Sequence, residues 1–325
     1  MSGEPHIAQD ERPPELSAVL PVYDERELLP TLRDRLVAAL EATGRTWEIV
    51  FVDDGSRDGS LDALLGFCAE DPRIVVVELS RNWGHQAALT AGLCHARGDA
   101  VILMDADLQD PPEVIPDLVA AWEGGAKVVL AQRRSRAERG LRAPLFRLFY
   151  RLLGVLSDYP IPLDAGIFGL LDRQPADAIA RLAEANRFLP GLRAWVGYRT
   201  EVVGYDRAER AGGAPKQSLF RLIRYGLDAI FSFSYKPLRL TLFTGGTVAF
   251  FALLYGAALI VCRLLGIGMF GIPVVAGYTS TIVSVLFLGG IQLMGIGILG
   301  EYLGRVYDEV KRRPLFLVDQ VHRTP

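Results

Sequence analysis

Phe51-Val52-Asp53-Asp54-Gly55-Ser56 and, further along, Val101-Ile102-Leu103-Met104-Asp105-Ala106-Asp107-Leu108-Gln109-Asp110 are the two stretches that decide the fold. Each is a short apolar run that ends abruptly in a pair of carboxylates. A run of this length without polar alternation fits a strand buried on both faces. Carboxylates grouped at the end of such a strand repel each other and are costly to desolvate. They therefore imply a cation or a donor-rich ligand that completes the group.

The chain around these stretches alternates in character. Further apolar runs occur at Leu16–Leu20, Trp47–Val52, Arg73–Leu79, Ala100–Met104 and Ala126–Ala131. Amphipathic stretches separate them at Glu25–Ala42, Ser60–Ala69, Gly84–Ala96 and Glu113–Glu123. Strand–helix alternation at this spacing predicts an α/β domain with a mostly parallel, Rossmann-like sheet. Ligands of such sheets bind beyond the carboxyl ends of the strands, where the acidic pairs fall. Asp105 and Asp107 are two residues apart, so in extended backbone they share a face. Hard oxygens on one face suit Mg²⁺ or Mn²⁺, with a diphosphate supplying further oxygens. There is no G-x-x-x-x-G-K-S/T and no G-x-G-x-x-G, so P-loop and dinucleotide readings lack their phosphate cradle. The three cysteines have no metal-ligand spacing.

The net charge of −3 argues against a nucleic-acid partner held by phosphate contacts. That average hides an uncharged C-terminal region. No charged side chain occurs from Leu240 to Cys262, or again from Leu264 to Gly300, and each run is long enough for a bilayer span. Gly266, Gly268, Gly271 and Pro273 suggest a turn near the start of the second run. Two transmembrane helices are expected, at about 239–264 and 277–300. Lys236 and Arg239 precede the first, and Arg305, Lys311, Arg312 and Arg313 follow the second, so both termini are expected on the cytoplasmic side of a bacterial inner membrane. The N-terminal stretch lacks the basic start and apolar run of a signal peptide, in keeping with a cytoplasmic catalytic part. Arg139–Leu156 and Ser218–Phe233 interleave arginines with apolar residues as interfacial helices do. The expected organisation is a mobile tail over 1–15, a catalytic domain over 16–210, an interfacial segment over 211–238, the paired spans over 239–300 and a cytoplasmic tail over 301–325.

Several stretches resemble glycosyltransferase family 2, of the GT-A fold, and within it the polyprenyl-phosphate glycosyltransferases, a branch that includes bactoprenol glucosyltransferases and dolichyl-phosphate mannose synthases. They are Leu20-Pro21-Val22-Tyr23-Asp24-Glu25, Phe51–Ser56 with Asp58-Gly59-Ser60, Ser80-Arg81-Asn82-Trp83-Gly84-His85-Gln86 through Gly92, the block Asp105–Glu113, Phe188–Leu192 and Trp195-Val196-Gly197. The resemblance implies a membrane-anchored, metal-dependent enzyme that moves a sugar from a UDP or GDP donor, UDP-glucose being the lead, to a polyprenyl phosphate. It implies that Pro21, Tyr23 and Glu25 line the nucleotide. Asp53 is expected to contact the base with Asp54 beside it. Asp105 and Asp107 are expected to hold ribose and metal, with Gln109 adding a metal contact. Arg133 and Arg134, after the fifth strand, would face the diphosphate and the acceptor phosphate, with Arg210 and Lys216 also at the lipid phosphate. Asp164 is a further candidate acid. Trp83 and His85 are read as local loop packing. Two segments depart from the family pattern. Asp164-Ala165-Gly166-Ile167-Phe168-Gly169-Leu170 lacks an acid and an arginine, and Arg210–Ser218 keeps its Arg and Lys at altered spacing.

A polyprenyl phosphate is already anionic, so no strong general base is required. The resemblance implies single displacement with inversion, in which the enzyme orients the acceptor and stabilises the leaving diphosphate. A homo-oligomer packed through its spans is a further implication. Two rival readings are a processive polysaccharide synthase, for which the Gln-x-x-Arg-Trp motif is missing, and a non-catalytic membrane scaffold of the same fold.

Overall fold

A computed structural model describes residues 13–133, 165–182, 184–185, 187–205, 236–264 and 277–324. The chain divides into two compact units. The first takes in Met1–Tyr150, Tyr159–Ser218 and Arg313–Pro325, and the second Arg151–Asp158 and Leu219–Arg312.

The first unit is an α/β sandwich. Its elements are β1 (Leu16–Val22), α1 (Leu29–Glu41), β2 (Trp47–Asp53), α2 (Ser60–Glu70), β3 (Ile74–Leu79), α3 (His85–His95), β4 (Ala100–Leu103), α4 (Ile115–Glu123), β5 (Val128–Arg133), β6 (Ala165–Asp172), α5 (Arg173–Arg181), α6 (Leu189–Trp195), β7 (Thr200–Tyr205) and β8 (Val318–His322). The eight strands run in the order β7-β5-β6-β4-β1-β2-β3-β8. β4, β1, β2 and β3 are parallel neighbours, and β5 and β7 pair in parallel. β1 and β2 are buried along their whole lengths, as largely apolar central strands require, and the polar Ser17 and Glu48 within them bond to each other. Helices α1, α2 and α4 give their apolar stripes to one core with Leu20, Phe51, Ile102 and Phe168. On the other face α3 lies so close that a Cβ on Gly92 would come within 2.2 Å of Val19 Cγ1, which is why a glycine stands there. Pro21 sits inside a central strand without cost on its β4 side, because β4 pairs only as far as Val19.

Three strands were not foreseen, among them β7, which pairs in parallel with β5. β6 runs antiparallel between β4 and β5. β8, from the stretch expected to be a tail after residue 300, pairs antiparallel with β3 and closes that edge of the sheet. Its five residues are mostly polar and exposed, so no hydrophobic pattern marks them. At the other terminus Glu15 belongs to the domain rather than to a tail. Its backbone N–H donates to Thr46 O, and its carboxylate accepts from Arg45 at 2.7 Å.

The second unit contributes two long helices, α7 (Lys236–Leu264) and α8 (Gly277–Lys311), which pack against each other. They occupy the two uncharged runs. α8 continues well past Gly300 because nothing there breaks it. Glu301 and Arg305 form an i,i+4 pair at 2.9 Å, and the helix stops at Arg312, which has φ 49°, shortly before Pro314. Among the described residues, one helical stretch, Phe287–Lys311, is long and apolar enough to cross a membrane. Its apolar side chains, including Phe287, Leu293 and Ile296, are exposed. The segments read as interfacial, Arg139–Leu156 and Ser218–Phe233, lie outside the described residues.

Candidate active site

The carboxyl ends of β3, β2, β1 and β4 stand side by side, and the loops that leave them carry the quoted motifs. The loops after β1 and β2 interlock. Asp24, held at φ 54°, accepts from Arg57 N at 2.7 Å. Ser60 Oγ accepts from Glu25 N at 3.1 Å, and Asp58 accepts from Arg26 N at 3.0 Å. The acids and serines of Asp53–Ser60 therefore hold the segment Tyr23–Glu25 in place, leaving Tyr23 exposed and Glu25 half-buried.

The two acids at the end of β2 have different tasks. Asp53 is 1% exposed. Its Oδ2 accepts from Gly55 N and Ser56 N, both at 3.1 Å, while Oδ1 is buried and accepts no hydrogen bond. Burial pushes its carboxyl above the usual range, against the pull of the Ser56 and Gly55 donors, and Glu78 adds repulsion. Asp54 serves the structure. Its two oxygens accept from Trp83 N at 2.7 Å and Gly84 N at 2.9 Å, fixing the loop between β3 and α3. That loop crosses so near Gly55, itself at φ 73°, that a Cβ there would lie 2.7 Å from Asn82 N.

The loop after β4 carries Asp105, Asp107 and Gln109. The backbone leaves the extended form after Asp105 and turns through Ala106 and Asp107, so the expected strand alternation does not bring the two acids to one face. A turn follows the strand there instead. Asp105 and Asp107 are half-buried while Ala106 between them is buried. Asp107 accepts from Gln109 N at 3.0 Å around Leu108, which is held at φ 56°, a conformation rare for a branched side chain. Further along, Asp110 is buried and accepts from the Tyr205 hydroxyl at the end of β7, and Tyr205 meets Phe168 edge-on. Glu113 is tied to α1 by a two-pronged bond to Arg35, at 2.8 Å on each arm, which holds its carboxyl below the usual range.

His85 is the residue the sequence reading missed. It is more than loop packing, for its Nε2 lies 2.7 Å from Asp105 Oδ1. The signal available in sequence was its place beside Gly84 at a helix start opposite the second acidic pair. Trp83 does pack locally, its indole N–H donating to Ser80 Oγ and its ring covered by Arg81. Arg133 is the last residue of β5 rather than a residue beyond it, paired with Tyr205 in β7. Arg134, Asp164, Arg210 and Lys216 lie outside the described residues.

The site thus presents one orphaned buried carboxylate oxygen at the end of β2 and a pair of half-exposed acids after β4, the two strands that flank β1. Among the described residues no group of three or more His, Cys, Asp or Glu side chains could hold a metal by itself. Acids at the carboxyl ends of a mostly parallel α/β sheet are the arrangement a GT-A fold carries. The chain belongs to glycosyl transferase family 2, whose model matches residues 17–179, and it is a glycosyltransferase. It is 44% identical over 309 residues to an uncharacterised glycosyltransferase of Synechocystis, sll0501, covering 94% of this chain and 95% of that one. It is 43% identical over 309 residues to the SfII prophage-derived bactoprenol glucosyl transferase of Shigella flexneri, covering 95% and 98%. Among solved structures it is similar to the mannosyltransferase PcManGT of Pyrobaculum calidifontis, with 18% identity, a TM-score of 0.47 and coverage of 92% and 88%.

Proposed function

We propose that the protein transfers a sugar from a nucleotide diphosphate to undecaprenyl phosphate or a related polyprenyl phosphate, with inversion at the anomeric carbon, and that UDP-glucose is the lead donor. The observation that carries this reading is the end-to-end likeness to the Shigella bactoprenol glucosyl transferase, which takes in the C-terminal helices as well as the catalytic domain. The site's chemistry supports the donor half. The orphaned Oδ1 of Asp53 suits an N–H of a nucleotide base, since a buried carboxylate oxygen without a donor costs free energy until one arrives. Pro21, Tyr23 and Glu25, at the end of β1 and in the loop after it, are read as lining the nucleotide.

The residues present fit a divalent cation. Asp107, with Asp105 and Gln109 near it in the chain, would offer a few hard oxygens, too few to hold a metal alone, and the donor's diphosphate would supply the rest. Mg²⁺ or Mn²⁺ bound there would offset the charge of the leaving diphosphate. The chain's own residues orient the reaction. Asp53 and the loop after β1 hold the nucleoside. Arg133 and Arg134 serve the diphosphate, and Arg134, Arg210 and Lys216 the lipid phosphate. Asp164 is the further acid at the reacting end. The acceptor phosphate is already anionic and attacks without a strong base.

α7 and α8 are read as two membrane spans that hold this site at headgroup level, with the catalytic domain and both termini cytoplasmic. Their uncharged runs and flanking basic residues support that reading. The test is incubation of the purified full chain with undecaprenyl phosphate, Mn²⁺ and a panel of nucleotide sugars, followed by mass spectrometry of the lipid. A glycosyl phosphoryl lipid from UDP-glucose is expected. A polymer product, or nucleotide binding with no transfer to any polyprenyl phosphate, would overturn the assignment.

A further inference from the structure

The contact between His85 and Asp105 is held too firmly to be an incidental surface pair. His85 is the first residue of α3, and its position is fixed on both sides. The two residues before it are bound through their backbone N–H groups to Asp54. The residue after it, Gln86, accepts from Leu189 N at 2.9 Å, tying the start of α3 to the start of α6. The loop is pinned a third time at its entrance, where Ser80 N donates to Leu317 O just before β8. An exposed ion pair between long flexible side chains contributes little, because both partners must be ordered to make it. Here the imidazole stands on a backbone already ordered by three other elements. Its Nε2 is 2.7 Å from Asp105 Oδ1, although the two side chains remain 44% and 36% exposed. Among the described residues that is the one hydrogen bond Asp105 makes, so without His85 the carboxylate would be free to rotate.

We propose that His85 is a positioning residue of the donor site, whose Nε2–H fixes the rotamer of Asp105 so that Oδ2 stays presented to the nucleotide sugar and its cation. The inference rests on the donor-site reading above. It goes beyond that reading by making the motif Ser80–Gln86 an orienting support for the acid on β4. The relation is that of an outer-shell partner to a ligating group, where loss of the partner typically weakens binding about tenfold or more. The neutral imidazole suffices, because one N–H donor at Nε2 does the orienting.

The test compares full-length wild type, His85→Ala and His85→Gln. Binding of UDP with Mn²⁺ is measured by calorimetry, and KM for UDP-glucose and for undecaprenyl phosphate by transfer assays. His85→Ala is expected to raise the UDP–Mn²⁺ dissociation constant and the donor KM about tenfold, leaving the lipid KM unchanged. His85→Gln, whose amide N–H reaches about as far as Nε2, is expected to recover most of that loss. Should the alanine variant melt early, His85→Phe removes the donor while keeping the ring and carries the same expectation. Wild-type UDP–Mn²⁺ affinity in the alanine or phenylalanine variant, or equal loss in the glutamine variant, would overturn the role of His85 alone. Failure of wild type to bind any nucleotide diphosphate with a divalent cation would instead overturn the donor-site reading on which it rests.

Discussion

Asp53→Asn should move stability and binding in opposite directions. In the native protein Oδ2 takes the N–H groups of Gly55 and Ser56, and Oδ1 lies buried with no donor. An asparagine in the same rotamer keeps its amide oxygen on those two N–H groups and puts its NH₂ where Oδ1 was. The buried charge is gone, so the unliganded variant should melt above wild type at pH 7. Nucleotide binding should fall. A hydrogen bond from a base N–H to a buried carboxylate contributes about 1.5–3 kcal/mol. Its replacement by a donor facing a donor forfeits at least that, a loss of roughly 10- to 100-fold in affinity. Calorimetry with UDP and Mn²⁺ reads the binding, and thermal unfolding without ligand reads the stability. The pH dependence supplies a sign check. Burial raises the Asp53 carboxyl above its unfolded value, so its penalty is fully present above the folded pKa. As pH falls through that value the native state takes up the proton first and the penalty fades. The melting advantage of Asp53→Asn should therefore shrink on acidification. UDP binding by the variant within about threefold of wild type, or a melting point below wild type at pH 7, would refute the reasoning.

Other perturbations separate structure from chemistry. Asp54→Ala leaves Trp83 N and Gly84 N without their acceptor and should destabilise the catalytic unit by about 1–3 kcal/mol, seen as a lower melting temperature. Tyr205→Phe removes the hydroxyl donated to buried Asp110 and should cost about 1–3 kcal/mol in the same assay, with the edge-on contact to Phe168 preserved. A chain ended after Arg313 loses β8 and bares the edge of β3. It should melt roughly 5 °C or more below the full chain and aggregate on warming, followed by light scattering. Asp107→Ala should abolish the ability of Mn²⁺ to enhance UDP binding while leaving the unliganded melting temperature within a few degrees, since Asp107 is half-buried in a surface turn.

Much of this protein is determined by local sequence. Fully buried runs at β1, β2 and β4, alternating with amphipathic stretches, leave few architectures open to the catalytic part. Carboxylates at the ends of two such runs mark the ligand edge of the sheet. Uncharged runs at 240–262 and 264–300 mark the two long helices in the same way, because each signal is carried by neighbours in the chain. Tertiary structure decided what depends on partners far apart. Only the folded loop shows that Asp54 serves backbone N–H groups near residue 83 while Asp53, its neighbour, keeps a bare oxygen. The same distance hides the bond from His85 to Asp105 and the network in which buried Glu48 accepts from Ser17 and Arg97. It also hides β8, a polar strand that owes its conformation to the open edge of β3 rather than to any pattern of its own. Hydrophobic period is written along the chain, whereas hydrogen-bond satisfaction is settled across it, between groups that meet only once the backbone has closed around them.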